Sequence, residues 1–229
     1  MKASETATLE MTMTAGTIPD APAASRSDVR ARGARAAVVA GGGLLLGVLT
    51  NLAQGWLPDA WQQLPNSGAV WCTVAFAVGA LLYRNERLVQ AASGGAGAEV
   101  GLVLGYYGYA EFGGDGAGSL FFPLVWLGLA LVAGPLFGAA GWWWRRGRDA
   151  RRRVAGLGAF AGLWGMEGLL YAVDLHHIPE AYTCLALSVL IPLLMARDDK
   201  ERALTLGAAV AFSLIAYAAV VVPLNMVSA

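Results

Sequence analysis

The sequence predicts an all-α protein, a polytopic bundle of transmembrane helices, and three observations lead there. First, 57% of the 229 residues are hydrophobic and only 14% are charged, with a mean hydropathy of +0.54. An average soluble domain carries about 25% charged residues. Second, apolar runs of the length needed to cross a hydrocarbon core of about 30 Å recur along the chain. Third, the basic residues fall only in alternate connections between those runs. This composition excludes intrinsic disorder for most of the chain, because disorder needs few apolar residues and many charges. The 30 glycines have no period and there are two cysteines, which excludes collagen-like and disulfide-scaffold classes.

Taken in order, residues 1–35 form a polar segment of Ala, Ser, Thr and Met with Pro19 and Pro22, read as a disordered cytoplasmic tail. It lacks the pattern of a signal peptide, since the first apolar run starts some 35 residues in. The bundle occupies residues 36–224 and a short outer tail 225–229. Its spans are expected at about Ala36–Gly55, Gly68–Tyr83, Leu88–Ala110, within Gly116–Trp144, at Val154–Val173, Ala181–Ala196 and Ala203–Leu224. The second and sixth are short, so six spans with one re-entrant segment is the alternative to seven. No internal repeat of fixed period is visible, so no inverted-repeat architecture is expected.

Charge tests this count. Lys and Arg collect in cytoplasmic connections. All 16 basic residues lie in four segments: before the first span, in Arg84–Arg87, in Arg145–Arg153 and in Arg197–Arg202. The connections Trp56–Ser67, Glu111–Asp115 and Asp174–Glu180 hold none. This alternation predicts a cytoplasmic N-terminus and an outer C-terminus. Arg outnumbers Lys by 14 to two beside abundant Ala and Gly, a bias of GC-rich bacterial genomes, so the expected location is the bacterial plasma membrane. The net charge of zero offers no basic surface for nucleic acid. The lipid bilayer is the expected partner, with a small-molecule ligand and a membrane-protein partner as further expectations. Trp56, Trp61 and Trp142–Trp144 fall at span ends, where indole rings favour the headgroup level.

Small residues mark packing faces in lipid, because close van der Waals contact drives helix association there. Ser93, Gly97, Gly101 and Gly105 form one i+4 stripe, and Gly134, Gly138 and Gly141, then Gly158, Gly162 and Gly165, form two more. Pro123, Pro135 and Pro192 lie inside spans, where neighbouring helices can satisfy the freed carbonyls.

Ionisable groups at membrane depth are costly and mark a site by default. Glu99 falls halfway along the third span and Glu167 in the outer half of the fifth, with no basic residue in any span to pair with them. Each must be protonated, hydrogen-bonded to neutral groups or facing a watery cavity. Helical spacing puts Gly95 and Tyr106 on the face of Glu99, and Tyr171 and Asp174 on that of Glu167. Asn51 and Gln54 sit near the outer end of the first span and Asn66 at the start of the second. An outward polar pocket walled by spans one, two, three and five is expected from these residues; the alternative is that they only satisfy one another as buried interhelical hydrogen bonds.

Other motifs point to chemistry less strongly. The two histidines, His176 and His177, lie in an outer loop with Asp174 and Glu180, a donor set that suits a divalent metal such as zinc. Adjacent histidines point in different directions on most backbones, which favours a plain surface loop. Ser67 in Pro65-Asn66-Ser67-Gly68 departs from the Gly-x-Ser-Gly core of intramembrane serine proteases, and an Asn-Ser helix cap is the expected role. Cys72 and Cys184 are read as packing residues in the outer half, with a disulfide left open. No zincin, Walker or dinucleotide motif occurs and no cofactor is expected. The arginine-rich loop after the fourth span is read as a topology determinant whose charge also attracts anionic lipid.

The runs Asn51-Leu-Ala-Gln54-Gly-Trp-Leu-Pro58 and Leu64-Pro-Asn-Ser-Gly-Ala-Val-Trp71 carry a resemblance, continued by Phe76, Gly79, Gly105-Tyr-Tyr107 and Gly134-Pro-Leu-Phe-Gly138. Over roughly Ala36–Leu224 the chain resembles an uncharacterised family of small polytopic bacterial membrane proteins, a domain of unknown function, which implies a fold and no activity. Through Gly134-Pro135-x-x-Gly138-x-x-Gly141 it is also similar to the substrate-capturing subunits of vitamin transporters, which usually have six helices. Three functions follow as expectations: small-solute binding or transport through the outward pocket, a non-catalytic membrane scaffold or partner subunit, and a metal-dependent intramembrane hydrolase. The first is favoured, and an enzyme is the less favoured class.

Overall fold

Each of the seven apolar runs becomes a helix. The computed structural model describes residues 26–83, 86–113 and 118–221, so the expectations for 1–25 and for the outer tail 225–229 lie outside the described residues. The helices are α1 (Arg26–Trp56), α2 (Gly68–Ala77), α3 (Leu88–Gly113), α4 (Phe121–Arg146), α5 (Ala150–Val173), α6 (Ile178–Met195) and α7 (Asp199–Ala216). Among the described residues there is no strand. Two short 3₁₀ turns, Asp59–Trp61 and Leu64–Asn66, lead into α2, and π-helical turns, Val78–Leu82 and Tyr217–Val221, follow α2 and α7.

Five of these helices are long and apolar enough to cross a membrane: α1, α4, α5, α6 and α7. A sixth candidate is the pair Asp59–Asn66 and Gly68–Leu82, bent by 45° at Ser67. The bend explains why the second run reads short. Gly68–Leu82 rises only about 22 Å at 1.5 Å per residue, and the 3₁₀ turns precede it at an angle. Helix α3 is outside this set because its glycines and Glu99 dilute its apolar character.

Helix ends differ from the apolar runs in a consistent way. Helix α1 begins at Arg26, so residues 26–35, expected in the tail, are helical. Helix α6 begins at Ile178 rather than Ala181, and α7 at Asp199 rather than Ala203. A hydropathy pattern ends where charges begin, whereas a helix runs on to its cap. Asp198 provides that cap for α7, its carboxylate accepting from the Glu201 N–H at 2.8 Å.

The glycine stripes are packing faces. Gly101 and Gly105 lie against the backbone of α1 at Ala40–Leu44, and Gly43 and Gly47 return the contact. A Cβ on Gly101 would stand 2.9 Å from the Ala40 carbonyl oxygen and 3.3 Å from the Gly43 Cα. Gly134 and Gly138 lie against Gly95 and Ala91 of α3, and Gly141 against Phe76 of α2. Gly158 and Gly162 lie against Ala208, Ala209 and Phe212 of α7, while Gly165 faces Ser188 and Ser213. Thus α1 and α3 pair, and α5 packs with α6 and α7. Helix α2 touches α3, α4 and α5 at once, and with α4 it joins the two groups.

The connections gather at two ends. At one, Arg35 pairs with Glu86 (2.6 Å), the Trp142 indole donates to the Glu86 carbonyl (2.9 Å), and Arg153 pairs with Glu201 (2.7 Å). At the other, the Tyr171 hydroxyl donates to the Gln63 carbonyl (3.4 Å) and Tyr217 to Asp174 (2.6 Å). Every described arginine whose contact is named here lies at the first end.

Candidate functional site

The sequence makes α2 start inside the bundle. Pro65 stands in the last 3₁₀ turn, where its missing N–H costs nothing. Ser67 is extended (φ −81°, ψ 144°) and its hydroxyl accepts from the Val70 N–H at 3.1 Å. Of the expected Asn-Ser cap, Ser67 makes the capping bond and is only 4% exposed, whereas Asn66 makes none. The Trp71 indole N–H reaches back to the Pro65 carbonyl (3.0 Å) and fixes the bend.

The first amides of a helix lack intrahelical acceptors and carry partial positive charge. Here Glu167 of α5 supplies the acceptor: Oε1 takes the Ala69 N–H at 2.8 Å, and the Gly68 amide and Ser67 hydroxyl face the same carboxylate. Glycine at 68 leaves room for this approach, since a Cβ would stand 3.1 Å from Oε1, tighter than an ordinary contact. Glu167 is 6% exposed, and Oε2 has no hydrogen-bond partner among the described residues. One turn further along α2, the Cys72 thiol stands beside the Glu99 carboxyl of α3. Glu99 is 2% exposed, and Oε1 likewise has no partner among the described residues. Cys72 stands within electrostatic reach of both carboxylates. Two helices, α5 and α3, thus bring one carboxylate each to the first turns of α2.

A third carboxylate was not singled out as buried from the sequence. Glu180, expected in the outer loop, stands in the first turn of α6 and is 1% exposed. Among the described residues neither of its oxygens has a hydrogen-bond partner, although His177 Nδ1 is 3.7 Å from Oε1. Tyr171 and Cys184 lie within electrostatic reach of both Glu167 and Glu180, which links the third carboxylate to the first. The available signal was Pro179 at a helix-start position with Cys184 one turn after Glu180, which puts the two on one face.

The expected pocket residues separate into three groups. Asn51, Gln54 and Tyr106 join α1 to α3: the Asn51 amide donates to the Tyr106 carbonyl (3.4 Å) and the Tyr106 hydroxyl to Gln54 Oε1 (2.5 Å). The Tyr106 ring packs on Trp71, 5.5 Å between centroids, so this group borders α2. Glu99, Glu167, Tyr171 and Asn66, whose Oδ1 is buried without a hydrogen-bond partner among the described residues, belong with the start of α2. Asp174 stands apart at the end of α5, bound by Tyr217. A cleft at that end of the bundle, of about 380 Å³, is lined by Asp59, His176, His177 and Glu180.

The two histidines diverge. His176 adopts a left-handed backbone (φ 57°) with Nδ1 3.2 Å from the Asp174 carbonyl, while the His177 ring stacks on Tyr171 at 6.1 Å. Among the described residues no group of three His, Cys, Asp or Glu side chains stands close enough to hold a metal, so the pair gains no third ligand. Cys72 and Cys184 are both free and buried.

No curated protein and no solved structure matches the chain. A family model, described as a family of unknown function (DUF6518), matches residues 26–226. With its bundle of glycine-packed helices covered almost end to end by that match, the chain belongs to the family of unknown function DUF6518.

Proposed function

We propose that this chain is a multi-pass protein of the bacterial plasma membrane, with seven spans and a cytoplasmic N-terminus, that binds or transports a small solute at the start of α2. One observation carries the reading: buried oxygens of Glu167 and Glu99 face the same short helix without a hydrogen-bond donor among the described residues. A buried carboxylate is tolerable only when a donor, a proton or a cation satisfies it. A solute bearing N–H donors or positive charge, such as an amine or a monovalent cation, supplies what both oxygens lack. The break before α2 supports this role, since discontinuous helices are the usual means of bringing polar backbone to a site inside a bilayer. The outer cleft that reaches Glu180, and the proximity of Tyr171 to both Glu180 and Glu167, support access from outside.

The test is thermal unfolding of the solubilised protein against a panel of amines, amino acids and monovalent cations. At least one class should raise the Tm of the wild type and leave Glu99→Gln and Glu167→Gln unmoved. Undiminished stabilisation of both variants overturns the site. For the topology, a tag fused after Ala229 should react with an impermeant reagent on intact cells.

A further inference from the structure

The opposite end of the bundle holds a second polar feature that the solute site does not use. Two adjoining clefts, of about 500 and 460 Å³, share Glu86, Arg87 and Arg146 as a common wall. Arg32 of α1 completes the first, and Arg148 and Arg152 complete the second. Five guanidinium groups therefore line one bipartite groove against two carboxylates, and both carboxylates are engaged. Glu86 accepts from Arg35 at 2.6 Å, outside the groove, and Asp149 Oδ1 accepts from the Arg151 N–H at 3.0 Å to cap α5. The surplus of positive charge calls for an anion with more than one charge. Guanidinium groups bind phosphate through paired parallel hydrogen bonds, which suits a phosphoryl group better than a carboxylate.

The position of the groove selects the source of that phosphate. Its second half is walled by Leu88 and Trp142, and the Trp142 indole is locked onto the Glu86 carbonyl, so the ring borders the charged wall. Trp142 to Trp144 stand at the end of α4, the depth at which indoles meet headgroups. Basic pockets between helix ends are the recognised form of a site for lipids with several phosphate charges. We infer that this groove binds the headgroup of an anionic phospholipid carrying two phosphates, one seated in each cleft. The arginines then hold a specific lipid as well as setting orientation.

The experiment uses the full chain in neutral detergent, titrated with diphosphatidylglycerol, phosphatidylglycerol, phosphatidylcholine and inorganic pyrophosphate, with binding followed by native mass spectrometry. Diphosphatidylglycerol should bind most tightly, and Arg87→Gln/Arg148→Gln should weaken it at least about tenfold. Arg151→Gln removes charge from the same connection outside both clefts and should change binding by less than about threefold. Weakening by Arg151→Gln of threefold or more, about what one charge contributes without a built site, reduces the effect to diffuse charge and overturns the site. Binding of pyrophosphate as tight as that of the lipid assigns the groove to soluble phosphates and overturns the lipid reading. Both variants keep Glu99 and Glu167, so the outcome is independent of the solute site.

Discussion

Glu201 and Glu99 are equally buried, each 2% exposed, yet their surroundings are opposite. Glu201 receives three hydrogen bonds from the Arg153 guanidinium, at 2.7, 3.1 and 3.3 Å, and its own N–H is capped by Asp198. Glu99 has only the Cys72 thiol nearby and one oxygen without a hydrogen-bond partner among the described residues, and Glu167, held on Oε1 at the start of α2, likewise leaves Oε2 without one. The first carboxylate ties α5 to α7 at the basic end. Among the described residues no arginine reaches the others. A buried charge with a complete set of partners is a fastening, whereas one left incomplete stores free energy that a ligand can release. The two ends of the bundle differ in that respect more than in burial.

The comparison is broken most severely at the fastened end. Arg153→Ala leaves Glu201 buried without its cation and should cost about 3 kcal/mol, read as a fall in Tm of the solubilised protein. Arg153→Met/Glu201→Leu should recover most of that loss, because removing both charges removes the desolvation cost. Next comes the packing that holds the site in place. Gly138→Leu drives a side chain into Ala91 and Gly95 of α3 and should cost about 2 kcal/mol. Gly207→Ala, in the interior of α7 with open space around it, should raise stability by about 0.5–1 kcal/mol instead.

Smaller effects sharpen the contrast at the incomplete end. Ser67→Ala removes the cap of α2 and should cost about 1 kcal/mol. Glu167→Gln keeps a carbonyl for the Ala69 N–H and should shift stability by less than about 1 kcal/mol. Glu99→Leu should be neutral or slightly stabilising, by up to about 1 kcal/mol, since it removes a partly satisfied buried carboxylate. A loss of stability at Glu99→Leu as large as that at Arg153→Ala would erase the distinction between the ends.

Much of the fold was legible in the residues. Apolar runs marked all seven helices because each must present a mostly hydrocarbon surface, and the i+4 glycines marked the contacts of α3 with α1 and of α4 with α2 and α3. The Ser67 cap was legible because capping chemistry is local. Glu180 was misread as a loop residue because hydropathy stops at the first charge, although Pro179 marks the start of a helix there. Glu201 was hidden for the same reason, inside the run Arg197–Arg202.

Composition and periodicity by themselves determined that this chain is helical, where its apolar helices fall, and that connections rich in Lys and Arg alternate with connections that hold neither. These follow from constraints that act along the chain: backbone satisfaction, apolar length and helix capping. Only the tertiary structure decided that Glu99 and Glu167 flank one helix start, that Glu180 joins them, and that Arg153 closes on Glu201 across 48 residues. Such pairings depend on which helix faces meet, and backbone-close glycine contacts between helices distant in sequence set those faces.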